Sequence, residues 1–316
     1  MEKTPDGKPS IASRTKGIAL SHGFSACGIA AALPATDEAK YLDRWIAEGC
    51  NAGMDYMANH RELRLDPSKL LPGARSIISL ALNYYPPVRR QEDEPHIAYY
   101  AYGKDYHVVM KKKLRTLWQA ILLLHEGEKE PESRFFTDSA PVLERYWAWR
   151  AGLGWIGRNT CLIIPGRGSF FFLGEIITTW IIDEYDTPQA SRCGLCTRCV
   201  DACPTGALSS HKLDARHCLS YLTIEHHGDF PPREADLLGN RLYGCDTCQL
   251  SCPWNRFATP TGEKAFMPSE AFLSLKKEEL PALSRDEYNR IFAGSAARRA
   301  KYEGFMRTIK YLNNKT

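Results

Sequence analysis

The stretch CGLCTRCVDACPTGAL, Cys193 to Leu208, constrains this chain more than any other. Its cysteines follow C-x2-C-x2-C-x3-C-P, a run that binds four-iron clusters through thiolates. Three closely spaced thiolates wrap one corner of a cubane, and the fourth, beside the proline, is directed to a second cluster. One run alone is therefore incomplete. Its partner is CDTCQLSCP, which holds Cys245, Cys248 and Cys252 and again ends in proline, one cysteine short of a full run. Cys218, stranded between the two, supplies the missing ligand. Spacing thus assigns Cys193, Cys196, Cys199 and Cys252 to one cluster, and Cys203, Cys218, Cys245 and Cys248 to the other. A pair of structural zinc sites is the competing reading; the triple run with its C-P ending argues against it. The remaining cysteines, Cys27, Cys50 and Cys161, are scattered and read as small buried hydrophobes.

Two adjacent clusters form a wire for single electrons, and a wire alone does not need the long segment that precedes it. The chain has 316 residues, 44% of them apolar and 25% charged, which suits an ordinary globular protein of two domains or one with an appendage. A net charge of +4 neither requires nor excludes a polyanionic partner. No apolar run is long enough to cross a bilayer. The N-terminal MEKTPDGKPSIASRTKG lacks an apolar signal core and a twin-arginine pair, so a cytoplasmic location is expected. Reducing conditions there favour metal ligation over disulfides for clustered cysteines.

Up to about residue 186 the pattern is mixed α/β. SIISLALNYY (Ser76–Tyr85) reads as a strand, and Met110, Leu114, Leu117, Trp118, Ile121 and Leu122 recur at helical spacing. CLIIPGRGSFFFLGEIITTWII reads as a hairpin turning at Pro165–Gly168. The polar DEYDTPQASR then separates this part from the cysteine module, and an irregular connection leads to a closing helix with Tyr302, Phe305, Met306, Ile309 and Leu312 on one face. The expected division is 1–186, 187–258 and 259–316.

FFTDSAPVLERYWAWRAGLGWIGRNTCLI contains a literal G-x-G-x-x-G at Gly152, Gly154 and Gly157. The dinucleotide fingerprint requires a strand before it and a helix after it. Here the order is inverted, so these glycines read instead as backbone that passes close to something large and flat. Asp138, just before the helix-like PVLERYWAWRAG, reads as its N-cap ahead of Pro141. As a proton-donating carboxyl it would need burial beside an apolar surface to raise its pKa.

TDSAPVLERYWAWRAGLGWIGRNT, CGLCTRCVDACPTGAL and NRLYGCDTCQLSCPWN together resemble the epoxyqueuosine reductase family, from about Asp66 to the C-terminus; LLPGARSII and YGKDYH fit as well. The resemblance implies an α/β (α+β) chain: a nitroreductase-like cobalamin-binding domain related to that of reductive dehalogenases, then a bacterial-type double-cluster ferredoxin domain. It implies removal of the epoxide oxygen of epoxyqueuosine at the wobble base of a tRNA anticodon, by two electrons and two protons. Electrons would pass through two 4Fe-4S clusters to cobalamin. Asp138 matches the proton donor to the departing oxygen. Arg64, Ala98, Leu162, Leu173, Ser220, Asp246 and Thr247 match positions that contact cobalamin, and Asp138 belongs with them.

The closing GSAARRAKYEGFMRTIKYLNNKT holds six Lys/Arg against one Glu. A solvated helix face is the plain reading; beside a tRNA substrate, phosphate contact is the better one, with Arg298 and Arg299 leading. The expected partners are tRNA and an external low-potential electron donor, with no membrane and a monomeric chain. His226–His227 reads as an exposed loop. The rival readings are a cytoplasmic reductive dehalogenase and a non-catalytic iron–sulfur electron carrier. A basic tail serves no purpose with a small neutral organohalide, and failure to bind a corrin would favour the carrier.

Overall fold

The computed structural model describes residues 9–313. The first eight and last three residues, which the readings of the N-terminus and basic tail include, lie outside the described residues.

At the centre is a four-stranded antiparallel sheet in the order Ala26–Ala31, Ser76–Asn83, Phe171–Thr178, Ser133–Phe136. Alternation along the strands divides its two faces. Ile78, Leu80, Leu82, Phe172 and Ile176 point into one core, with Met110, Leu114, Leu117 and Trp118 of the helix Tyr106–Leu122. Ile77, Ala81 and Ile177 point into the other, with Tyr146, Trp147 and Ala148 of the short helix Glu144–Arg150. The strand and long helix expected from periodicity are both present.

The first of these cores does not stop at the sheet. Leu219, Leu222 and Tyr243 from the cysteine-rich part join it, as do Phe272, Tyr288, Phe292, Phe305 and Ile309 from the last part of the chain. The closing helix runs Lys301–Asn313; Phe305, Ile309 and Leu312 are buried, and Tyr302 and Met306 are half-buried, as the apolar face required.

Two local readings are corrected. Leu162–Ile163 and Phe171–Thr178 do not pair as a hairpin: the first pairs with Trp155–Ile156 in a small separate sheet, and only the second joins the central sheet. The turn between them is real but carries the chain from one sheet to another. Nor do the three glycines face a flat ligand. A Cβ at Gly154 would lie 2.0 Å from the Ile163 carbonyl oxygen, and one at Gly157 would lie 2.6 Å from the Ile163 side chain. Gly154 lets two backbones of the small sheet approach, Gly157 leaves room for the Ile163 side chain, and Gly152 sits against the segment at Thr187.

Gly154→Ala should therefore destabilise the fold by about 1–3 kcal/mol, the usual cost of overpacking. Chemical denaturation checks this, and an unchanged midpoint would mean that the hairpin backbone shifts freely.

Candidate active site

Asp105 caps the N-terminus of the long helix, its Oδ1 accepting the His107 backbone N–H at 3.0 Å. That cap aims Tyr106 and His107 at the segment following the strand Ser133–Phe136. There Asp138 sits in the left-handed region at φ 52°, a conformation that a non-glycine residue adopts only under constraint. The constraints are visible. Tyr106 donates its hydroxyl proton to Asp138 Oδ2 at 2.5 Å, His107 Nε2 lies 3.1 Å from the same oxygen, and the Asp138 backbone N–H donates to the Glu144 carboxylate. His107 Nδ1 is 2.7 Å from Asp105, so the imidazole bridges two carboxylates.

Asp138 is not an N-cap. The helix begins only at Glu144, its cap position is Leu143, and no side chain caps it. Instead Asp138, with its side chain 58% exposed, lies on two adjoining cavities of about 640 and about 430 Å³ that also share Tyr56, Arg64 and Ala140. Together they form a cleft at the upper end of the small-molecule range.

Its electrostatics reverse the expectation from sequence. Burial alone would raise the Asp138 carboxyl, but the hydrogen bonds from His107 and Tyr106, with the charges of His107 and Arg299, hold it below the usual carboxylate range. Hydrogen bonds to Asp105 and Asp138 in turn raise His107 to about 9, against the opposing effect of burial. In the free protein Asp138 is ionised, and the proton resides on the imidazole beside it. Behind the loop, burial and the Asp138 charge push Glu144 up to about 8. Burial pushes Glu175, fully enclosed in the sheet, far above the carboxylate range, and neither of its oxygens has a hydrogen-bond partner among the described residues.

Four of the eight clustered cysteines share a cavity, and the other four are electrostatic neighbours. Cys193, Cys196, Cys199 and Cys252 line one cavity with Ile163 and Trp254. Cys218 lies within electrostatic reach of Cys245 and Cys203, and Cys248 within reach of Cys161, Cys245 and Cys218. Among the described residues no group of three or more His, Cys, Asp or Glu side chains forms a metal-ion site. The first set surrounds a space, as ligands of an inorganic cluster do. Cys27 and Cys161 are half-buried and Cys50 is buried. Cys161 is more than a packing residue: the neighbouring Cys248 thiol and the charge of Arg145, which lines the cleft, lower its pKa against the effect of burial.

Of the positions matched to cobalamin contacts, Arg64 and Asp138 line the cleft. Arg64 is 8% exposed; its Nη2 donates to the Tyr56 carbonyl, while its Nε is buried without a partner. The others stand behind the walls. Ala98 is packed against Gly244, and Asp246 accepts the Tyr99 N–H at 2.8 Å. The Thr247 hydroxyl accepts from Arg241 and lies 3.3 Å from Cys245 Sγ. Leu162 pairs with Ile156 on the cleft wall, the Leu173 carbonyl accepts from Thr137, and Ser220 is on the helix that leads to Ile224 in the cleft. Arg298 and Arg299 are exposed on the cleft rim, Arg299 in a bidentate ion pair with Glu225. His227 is exposed and His226 half-buried.

Sequence reasoning missed His107, Tyr106, Glu144 and Glu175 as parts of the site. The signals were an Asp-x-His at a helix start and a lone acid inside an apolar strand.

Residues 64–139 match the family model described as epoxyqueuosine reductase QueG, DUF1730, and residues 192–255 match a 4Fe-4S double cluster binding domain. An epoxyqueuosine reductase of Cyclobacterium marinum is 45% identical, over 95% of this chain and 96% of its own. A crystal structure of epoxyqueuosine reductase with an epoxyqueuosine-modified tRNA-Tyr stem loop superposes with a TM-score of 0.83 at 30% identity, covering 95% of this chain and 80% of that one. The Bacillus subtilis enzyme, solved with its aspartate catalytic loop swung out of the active site, gives 0.82 at 31%, with the same coverage. Among the described residues no helix is long and apolar enough to cross a membrane.

The bridged imidazole makes a pH prediction. A histidine raised from 6.5 to about 9 binds its proton more tightly folded than unfolded, so its contribution is whole below 6.5 and fades as pH rises through about 9. The stability gap between wild type and His107→Gln should narrow across that window. Imidazole NMR checks the group directly; a titration near the ordinary histidine value would show that the bridge does not form.

Proposed function

This chain belongs to the epoxyqueuosine reductase family, and we propose that the cleft around Asp138 is where it reduces epoxyqueuosine to queuosine at the wobble position of a tRNA anticodon. The observation that carries the reading is the Asp105–His107–Asp138 bridge at the mouth of a large cleft, in a chain that also has a double-cluster domain. The balance is two electrons and two protons in, water out.

Asp138 is the residue placed to protonate the departing oxygen. Because its carboxylate is ionised at rest, the imidazolium of His107, 3.1 Å away, recharges it. Glu144 holds the loop inward by accepting the Asp138 N–H. Cys193, Cys196, Cys199 and Cys252 would hold one cluster and Cys203, Cys218, Cys245 and Cys248 the other, and the two would supply single electrons to the cleft. The electrostatic coupling of Cys248 to Cys161, itself coupled to Arg145 of the cleft wall, supports the second set as the nearer one.

Cobalamin fits the cleft. The two cavities meet at Arg64 and Asp138, and the buried, unpartnered Arg64 Nε is a donor awaiting an acceptor. Arg64 and Asp138 would hold it directly, with Ala98, Leu162, Leu173, Ser220, Asp246 and Thr247 supporting the walls. When bound, it supplies a strongly reducing cobalt centre able to cleave the carbon–oxygen bond. Arg298 and Arg299, on the same cleft, would take phosphates of the tRNA. We further assign 1–186 to the cofactor-binding catalytic part, 187–258 to the cluster module and 259–316 to substrate contact, in a cytoplasmic monomer fed by a low-potential donor.

Asp138→Asn removes the exchangeable acid while keeping size. Single-turnover conversion of epoxyqueuosine in tRNA by pre-reduced enzyme should slow by about 10²–10⁴-fold. Iron should stay near eight per chain, as two cubanes require. A rate within a few-fold of wild type would move the acid elsewhere.

Replacing Arg298 and Arg299 together by Ala should weaken tRNA binding. The salt dependence of log K should flatten by about 0.9 for each duplex phosphate that is no longer neutralised, less on single strands. Cobalamin affinity should hold. Unchanged RNA binding, measured over a salt series, would make the pair structural.

A further inference from the structure

The three segments that surround the first cysteine set, 155–169, 187–200 and 249–262, contain five arginines and no aspartate or glutamate. Such a one-sided composition in three separate stretches is a property of the surface they build together. Arg158 is half-buried and holds the loop, donating to the Gly194 carbonyl at 2.9 Å. The other four, Arg167, Arg192, Arg198 and Arg256, are exposed. None of these four is in an ion pair among the described residues, whereas Arg61, Arg216, Arg285 and Arg299 each hold a carboxylate.

Aromatic rings connect them. The Arg192 guanidinium lies 5.8 Å from the Trp155 ring centre, Trp155 packs edge-on against Trp254 at 4.8 Å, Phe257 follows at 6.0 Å, and the Arg256 guanidinium covers Phe257 at 4.6 Å. The turn carrying Arg167 is fastened to Asn255, whose Oδ1 accepts the Ser169 N–H at 2.7 Å. Arg198 lines a shallow depression with Leu250 and Asp201; that aspartate, at the edge, accepts from Thr197. Between the ligand cysteines Cys193 and Cys196 stands Leu195, 96% exposed.

A leucine held in water on the loop that carries the first cysteine set, with an exposed arginine without a carboxylate partner three residues before it and another three residues after it, has the anatomy of a small electron-transfer interface: an apolar contact point with a charged rim. We propose that this face docks an acidic single-electron carrier protein, which delivers electrons to the cluster of Cys193, Cys196, Cys199 and Cys252. The inference rests on the two-cluster reading above. In each encounter one electron leaves the reduced carrier and enters the oxidised cluster; no bond forms and no proton moves. The second set is the poorer entry. Cys218 begins the helix Leu219–Ile224, which packs into the core, and Cys248 faces Cys161 and Asn159 inside the protein. An RNA backbone would use the arginines, but it gains nothing from a fully exposed leucine between Arg192 and Arg198, and Arg298 and Arg299 already stand at the cleft.

The test uses the reconstituted holoenzyme and fully reduced flavodoxin, an acidic carrier, as the probe. Cluster reduction is followed by stopped-flow absorbance. For wild type the second-order rate should fall steeply as salt rises from about 20 to about 300 mM, as steered encounters do. Combined R192E, R198E and R256E should slow it at least about tenfold at low salt. Reduction by photogenerated deazaflavin, small and uncharged, should be unchanged, as should tRNA affinity. A carrier rate indifferent to both salt and charge reversal, with two intact clusters, overturns this inference alone. Loss of tRNA affinity with an unchanged carrier rate assigns the face to RNA and also overturns it. Should charge reversal strip iron, the wild-type salt series decides by itself; a wild-type chain that binds no iron removes both this inference and the reading beneath it.

Discussion

Everything in this molecule hangs on the crossing of two cysteine runs. Cys252, at the end of the second run, lines the same cavity as Cys193, Cys196 and Cys199 of the first. Cys203, at the end of the first, lies within electrostatic reach of Cys218. A chain that shares its ligands this way cannot separate the two segments without dismantling both sets. The intervening polypeptide is therefore drawn back on itself. It contributes Leu219, Leu222 and Tyr243 to the core under the central sheet. Wire and catalytic scaffold thus share one apolar interior, and the distance from cluster to cleft is set by packing, not by a flexible linker.

Rigidity of that kind suits electron transfer; proton delivery asks for something different. In its proposed role Asp138 must be charged with a proton by its imidazole and then meet a substrate oxygen. The structure holds it in a left-handed backbone conformation through polar groups on two elements: Tyr106 and His107 at the start of one helix, Glu144 at the start of another. These are hydrogen bonds rather than buried apolar packing, so the loop can leave without opening a cavity in the core. The carboxylate is the stronger acid of the bridged pair and the imidazole its reservoir. In the proposed role general acid catalysis works from a charged pair, because each transfer of the proton to oxygen is preceded by a short transfer from nitrogen to carboxylate. Burial next to a hydrophobic wall, the usual way to keep a carboxyl protonated, is used at Glu144 and Glu175 instead.

How much of this was legible in the sequence depended on range. The cysteine spacing carried the double-cluster domain, because thiolates three residues apart are close enough to serve a common centre. Periodicity carried the strand Ser76–Asn83 and the helix Tyr106–Leu122, since both are long and one-sided or fully buried. The partner of Phe171–Thr178 was not legible: a β-rich segment after a turn looks like half a hairpin, and only the packed sheet shows that Ser76–Asn83 and Ser133–Phe136 flank it. Asp138 misled for a similar reason. Thr-Asp-Ser ahead of proline is cap chemistry, yet the helix starts six residues later, and the carboxylate answers to a tyrosine and a histidine some thirty positions upstream. The inverted order of helix and strand excluded the dinucleotide fingerprint at the literal G-x-G-x-x-G, but only the packed structure shows that Gly154 and Gly157 make room for Ile163 and Gly152 for Thr187.

The two basic regions are wired differently, and the difference separates their roles. Arg299 is clamped to Glu225 in a bidentate pair and adds its charge to the field on Asp138. Its guanidinium is already oriented, so it suits a fixed contact beside the reacting base, where position matters more than reach. Arg167, Arg192, Arg198 and Arg256 have no carboxylate partner among the described residues and differ in direction. Cations without a fixed partner make a poor template for a single bound geometry. They make a good attractor for a partner that must arrive quickly, transfer one charge and leave, since rim charges act mainly on the rate of encounter. A two-electron reaction fed by a one-electron carrier needs two such visits for each substrate that the fixed site holds. The arginines without a carboxylate partner therefore fit the proposed carrier, which exchanges, and the clamped one the proposed tRNA contact, which stays.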